Sequence, residues 1–161
     1  DIFVDGKNIF SSVREWHKKI GYVPQSIYLI DDTIKKNIAF GEDDENINEK
    51  NIHKSIKDSE LLNFINKLPE RESSIIGEKG AKISGGEMQR IAIARSLYIN
   101  PEIIIFDEAT SGLDSDTESK IIDSINKISN DKTIIMVSHK MSSLKNCKKI
   151  YEIRNKNIHL V

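Results

Sequence analysis

Cysteine is nearly missing: Cys147 stands alone in 161 residues. A disulfide framework is excluded, and a reducing compartment fits. The four histidines, His17, His53, His139 and His159, are scattered along the chain. A zinc site needs several His or Cys ligands at close spacing, so none is read here. No apolar run approaches the length that spans a bilayer. The opening "DIFVDGKNIF" lacks both a basic start and a long apolar stretch, so no signal peptide is expected in it. An excess of one charge is also missing. The 24 basic and 25 acidic side chains leave a net charge of -1, with no global pull toward nucleic acid or anionic lipid. The short run "NCKKIY" reads as a solvated face. The chain has no initiator Met and opens inside what reads as a strand, so a fragment of a longer protein is expected.

What is present is an ordinary globular balance, 38% hydrophobic and 30% charged, long enough for a single domain or a bipartite fold. "IFVDG" reads as a strand and turn, and "SSVREWHKKI" as a short amphipathic helix. "GYVPQ" is a strand stopped by Pro24. From Thr33 the pattern is helical, with "TIKKNIAFG" closed by Gly41. An acidic loop and a helical pair from Ile52 to Ile65 follow, ended by Pro69. "SSIIGEKGAK" reads as an irregular glycine-punctuated loop. "GEMQRIAIARSLY" is apolar nearly all round, which predicts a buried helix. After Pro101 come "IIIFDEAT" and, later, "TIIMVSH", continuous apolar runs of the kind buried on both faces of a parallel sheet. A helix lies between them, with Asp114 or Ser115 as its N-cap. "KKIYEIRNKNIHLV" reads as two strands around a turn. Buried strands alternating with helices predict an α/β sheet with helices on both faces and a helical block inserted in the middle.

Several residues carry chemistry. Asp107 and Glu108 end a buried strand, where open α/β sheets bind ligands. Adjacent strand residues point to opposite sides, so the two carboxylates take different jobs. One suits Mg²⁺, the other a general base; the bland alternative is two acids facing solvent. His139 follows the next apolar strand and emerges at the same edge, where it could position water, or be merely structural. Gln25 ends "GYVPQ" and offers a neutral oxygen to the same crevice. In "ISGGEMQR", Ser84 caps a helix whose first amides are left uncovered by Gly85 and Gly86. An anion suits such an end; close helix packing is the alternative reason for the glycines.

The order of these blocks, VPQ, GEKG, ISGGE, IIIFDEAT, SGLD and VSH, resembles the nucleotide-binding domain of ATP-binding-cassette (ABC) transporters over essentially the whole chain. Gln25 falls at that family's Q-loop, and Ser84, Gly85, Gly86 and Glu87 at its signature motif. Asp107 and Glu108 fall at the Walker B aspartate and catalytic glutamate, Asp114 at the D-loop, His139 at the switch histidine. The resemblance implies a P-loop NTPase-type, mostly parallel sheet flanked by helices, with an inserted α-helical subdomain. Residues 1–25 would begin the ATP-binding core, 26–98 form the helical subdomain with the signature, and 99–161 complete the core. It implies catalysis by Glu108 and His139, ATP contacts from Gln25, Ser84, Gly85, Gly86, Glu87 and Asp114, and Mg²⁺ held by Gln25 and Asp107. The partners implied are a second nucleotide-binding domain, paired head to tail around ATP, and a transmembrane domain, with no nucleic acid. The place implied is the cytoplasmic face of a membrane. "IGEKGAKISGG" is similar to the Glu-x-Gly segment of exporters, and "LKNCKKIYEI", more distantly, to flippases of lipid-linked glycans.

The sequence departs from the pattern by one absent motif and at two positions. No stretch reads G-x-x-x-x-G-K-[ST], so the phosphate-cradling loop is absent. It is expected upstream of Asp1, which would leave the fragment inactive alone and its strand faces bare. Glu87 replaces the commoner Gln, and its charge suits a helix start but not a phosphate. Gly112 stands where Ala is frequent. The alternatives are a chromosome-maintenance or DNA-repair ATPase of the same superfamily, which would need long heptad segments, and a non-catalytic regulatory module.

Overall fold

Asp5 and Gly6 take φ of 50° and 75°, the pair of positive values that a type I′ turn demands. They fold β1 (Phe3–Val4) back on β2 (Lys7–Asn8). The computed structural model describes residues 1–77, 83–129 and 131–161. Helix α1 (Val13–Lys19) leads into β3 (Ile20–Val23), and Pro24 follows. β4 (Asp32–Thr33) runs into α2 (Ile34–Ile38), capped by the Thr33 side chain. Helices α3 (Glu49–Asp58) and α4 (Leu62–Ile65) form the expected pair, and β5 (Ile75–Ile76) pairs antiparallel with β4. Then come α5 (Gly85–Tyr98), β6 (Ile103–Asp107), α6 (Ser115–Ile128), β7 (Thr133–Val137) and α7 (Met141–Leu144). The hairpin of β8 (Tyr151–Arg154) and β9 (Asn157–Leu160) turns on Asn155 and Lys156, both at positive φ.

The sheet that positions the site has the order β3-β6-β7, all parallel. Gly21 lies on its covered side because a Cβ there would meet the Ser96 carbonyl oxygen at 2.7 Å, so α5 packs directly on β3. Val23, Ile104 and Phe106 share this face with Ala92, Ile93 and Leu97 of α5 and Ile121, Ile122 and Ile125 of α6. A second cluster joins Ile34, Ile38, Ile52, Ile56, Ile65 and Ile76 to Ile91, Ala94 and Tyr98 of α5. Helix α5 is therefore buried on opposite sides by two cores, which is why its sequence is apolar all round. Arg95 of α5 donates to the Asn37 and Tyr28 carbonyls at 2.7 and 3.0 Å, tying the segment that follows Gln25 to the same helix.

Some expectations change. β7 is half exposed rather than fully buried: Ile135 and Val137 are 48% and 47% exposed. Its apolar run reads as buried, yet among the described residues the helices cover only one face of the sheet. Tyr22 and Ile105 share the open face by register with Ile135. The stretch "SSII" is not wholly irregular, since Ile75 and Ile76 make the β5 bridge. The α2 helix stops at Ile38, before Gly41. Glu78 and Gly80, the Glu-x-Gly pair, lie outside the described residues.

Candidate functional site

The parallel strands deliver four predicted residues to one sheet edge. Asp107 is the last residue of β6, on the open face, where the Tyr22 hydroxyl donates to Oδ2 at 2.8 Å. That bond pushes the tyrosine pKa up, as does the charge beside it. Glu108 then turns out of the strand with φ of 48°. An L-residue rarely adopts this left-handed conformation, and such outliers cluster at functional sites. Its own N–H still reaches the Val137 carbonyl at 3.0 Å, so β7 holds the turn in place.

Glu108 is gripped from both sides. Gln25 Nε2 donates to Oε2 at 2.8 Å, and His139 Nε2 lies 2.7 Å from Oε1. Only a proton on Nε2 makes the second contact a hydrogen bond, because a carboxylate accepts. The Glu108 side chain is 22% exposed and that of His139 86%, so the histidine stands at the mouth. Gln25 commits its amide nitrogen to Glu108, which leaves an oxygen for a cation. Among the described residues no three acidic, His or Cys side chains gather around one point. Gln25 and Asp107 each carry an oxygen that could join a hard cation whose other ligands are phosphate and water.

The remaining predicted residues gather elsewhere. Ser84 caps α5, and Glu87 completes a capping box. The Glu87 carboxylate accepts from the Ser84 amide at 2.9 Å and the Ser84 hydroxyl at 2.8 Å. Gln can fill this position in a capping box and Glu fills it equally, so the departure at Glu87 has a structural reason. Gly86 does too: a Cβ there would meet Thr117 Cγ2 at 2.7 Å, whereas at Gly85 the nearest atom, Leu113 Cδ2, is 3.4 Å away. Close packing of α5 on α6 therefore accounts for one glycine and not the other. Asp114 caps α6 through the Thr117 amide at 3.0 Å, which holds its carboxyl below the ordinary range. Gly112, at φ of 80°, needs its missing side chain for the turn, and alanine would strain it. Ser84, Gly85, Gly86, Glu87, Leu113 and Asp114 border a cavity of about 350 Å³, with Lys120 at its side.

Residues 1–111 match the family described as ABC transporter. The chain belongs to that family. The ATP-dependent lipid A-core flippase of Haemophilus influenzae is 38% identical over 168 residues, covering 99% of this chain and 28% of the relative. ATP-binding cassette sub-family B member 5 of Homo sapiens is 37% identical over 155 residues, covering 96% and 12%. The ABC-type transporter MDR1 of Aureobasidium melanogenum is 38% identical over 151 residues, covering 93% and 11%. In three dimensions the chain is similar to a bacterial Atm1-family ABC exporter with ATP bound, with a TM-score of 0.70 and 37% identity, over 83% of this chain and 23% of that one. This ABC family chain thus spans about a tenth to a quarter of the length of such relatives.

Sequence reasoning missed two members of the site. Tyr22 could be found only by knowing the β3–β6 register. Glu118 left a signal: with Ile121, Ile122 and Ile125 it forms an i, i+3, i+4, i+7 stripe, a charged residue on the apolar face of α6.

Proposed function

We propose that this chain is part of the ATP-hydrolysing domain of an ABC exporter or flippase. The observation that carries the reading is Glu108, turned out of β6 and gripped by Gln25 and His139 at the end of a parallel sheet. A general base must be within hydrogen-bond reach of its water. A carboxylate has about four acceptor positions, so Glu108 can accept from a water while Gln25 and His139 fix its orientation. In the reaction that water adds to the γ-phosphorus, its proton passes to Glu108, and the bond to the bridging oxygen breaks. His139 steadies the base through the proton on Nε2 that faces Glu108 Oε1. Asp107 and the Gln25 oxygen would hold Mg²⁺, which when bound neutralises phosphate charge.

These residues hold no G-x-x-x-x-G-K-[ST] stretch, so the part of the site they supply is the Glu108 end. A second nucleotide-binding domain pairs with this one, and Ser84, Gly85, Gly86 and Asp114 serve the partner's ATP. A transmembrane domain couples hydrolysis to transport at the cytoplasmic face of a membrane; among the described residues no helix is long and apolar enough to cross one. In the transporter that contains this segment, Glu108→Gln is expected to lower ATP turnover by about 10²- to 10⁴-fold and to accumulate ATP-bound pairs. Wild-type turnover in that variant would overturn the reading.

A further inference from the structure

We propose that Glu118 is a positioning residue that fastens the loop carrying Glu108 to the loop carrying His139. The inference rests on the hydrolytic reading above and assigns a role to a residue outside the motifs that carry that reading.

Glu118 is 8% exposed, on the stripe of α6 that packs against the sheet. A buried carboxylate is costly unless paired and hydrogen-bonded. Here it has three donors from two directions. Thr110 Oγ1 reaches Oε1 at 3.0 Å, two residues beyond Glu108. Lys140 Nζ reaches Oε2 at 2.7 Å, from the residue next to His139. Ser143 Oγ of α7 reaches Oε1 at 2.7 Å. The Lys140 ammonium, first among these, holds the Glu118 carboxyl below its ordinary range, so the three bonds are made to an anion.

The two loops need such a fastening. The β6–β7 ladder ends at Asp107 and Val137, and its last bond is the Glu108 amide to the Val137 carbonyl. Beyond that point both chains leave the sheet. His139 is 86% exposed, so packing does not orient it. Its neighbour Lys140 is held at both ends, its N–H donating to Ser138 Oγ at 3.0 Å and its Nζ to Glu118. Thr110 is 7% exposed and anchors the other loop to the same carboxylate. Glu118 thereby fixes the separation across which His139 meets Glu108. Errors of an ångström in such separations are enough to slow a reaction by two orders of magnitude.

The test compares Glu118→Gln with wild type in the full transporter, reading kcat and KM for ATP, and repeats the comparison in a His139→Ala background. A positioning role predicts a loss in kcat of about tenfold or more, with KM changed by less than about twofold. The further loss should vanish once His139 is gone, because the two changes then act on one unit. An unchanged kcat, or the same fractional loss in the His139→Ala background, overturns the proposal. Should Glu118→Gln fail to fold, Thr110→Val and Ser143→Ala each remove one hydrogen bond and leave the Lys140 pair. Each is expected to lower kcat by about threefold, and wild-type kcat in both overturns the proposal. Full turnover in Glu108→Gln would instead sink the hydrolytic reading itself, whatever Glu118 does.

Discussion

Gly85 and Gly86 stand side by side at the first turn of α5, and alanine should treat them differently. Both positions gain about the same helix propensity on Gly→Ala, at most about 1 kcal/mol. They differ in what the new methyl meets. At Gly86 it stands 2.7 Å from Thr117 Cγ2, and at Gly85 it stands 3.4 Å from Leu113 Cδ2. The second is ordinary van der Waals contact. The first is closer than carbon atoms tolerate, and Thr117 gives way poorly. Its Cγ2 is bonded directly to Cβ, so no outer bond can swing it aside, and its backbone is held by the Asp114 cap. Overpacking of this kind costs about 1–3 kcal/mol.

The difference between the two variants isolates the clash, because the propensity gain cancels. Gly85→Ala is expected to be neutral or slightly stabilising. Gly86→Ala should lie about 1–3 kcal/mol below it. Thermal unfolding measures this directly, at about 2–4 °C per kcal/mol for a protein of this size. A rescue variant tests the contact from its other side. Thr117→Ser deletes Cγ2 and keeps the amide that Asp114 accepts, so it should recover most of the loss in the Gly86→Ala background. Equal stability of the two alanine variants, or no recovery with Thr117→Ser, would refute the packing account of Gly86.

Two further outcomes follow from the same geometry. Glu87→Ala should cost about 1 kcal/mol by removing the capping box, while Glu87→Gln keeps an acceptor oxygen for the Ser84 amide and should cost far less; equal losses in thermal unfolding would contradict the capping role. Acid stability is set in part by Glu118, whose carboxyl is held down chiefly by Lys140, and by Asp114, held down chiefly by the Thr117 amide. A carboxyl depressed in the folded state adds stability above its unfolded pKa of about 4 and loses it as pH falls through the lower folded value. Unfolding midpoints measured across pH should drop below about pH 4, and Glu118→Gln should flatten that drop.

Much of the site was legible because it is written in short local patterns. "IIIFDE" places two carboxylates at a strand end by composition alone, and the fold puts Asp107 and Glu108 there. Residue type marks Ser84 as a cap and narrows the next one to Asp114 or Ser115; Ser84 and Asp114 both accept the amide three residues on. What was hidden depends on pairing between distant segments. Tyr22 meets Asp107 across 85 residues of sequence, a contact set by strand register. Thr117 closes on Gly86 because two helices cross there, which neither helix shows alone. The two-residue pairing of β4 with β5 is too short to leave a periodic signal. The exposure of β7 was misread for another reason. "TIIMV" is equally apolar on both faces, and hydropathy does not tell which face has a neighbour.

The capping box also sharpens what the signature turn can offer. A helix start leaves its first amides without intrahelical acceptors. Here the Ser84 amide is taken by Glu87, the Glu87 amide by the Ser84 hydroxyl, and the Ser84 carbonyl already accepts from Met88. The serine proton is directed at Glu87 as well. By helix geometry the amides of Gly85 and Gly86 remain, and these two residues place no side chain over them. Glu87 therefore does not compete with an anion for every donor at this end. The Ser84 and Glu87 amides are taken up within the capping box, and Gly85 and Gly86 line the cavity with Leu113 and Asp114. An anion entering that cavity would meet a turn whose shape the Glu87 carboxylate already holds. In this sequence the acidic residue stiffens the turn, Gly86 lets α6 pack against it, and Gly85 leaves its other side open.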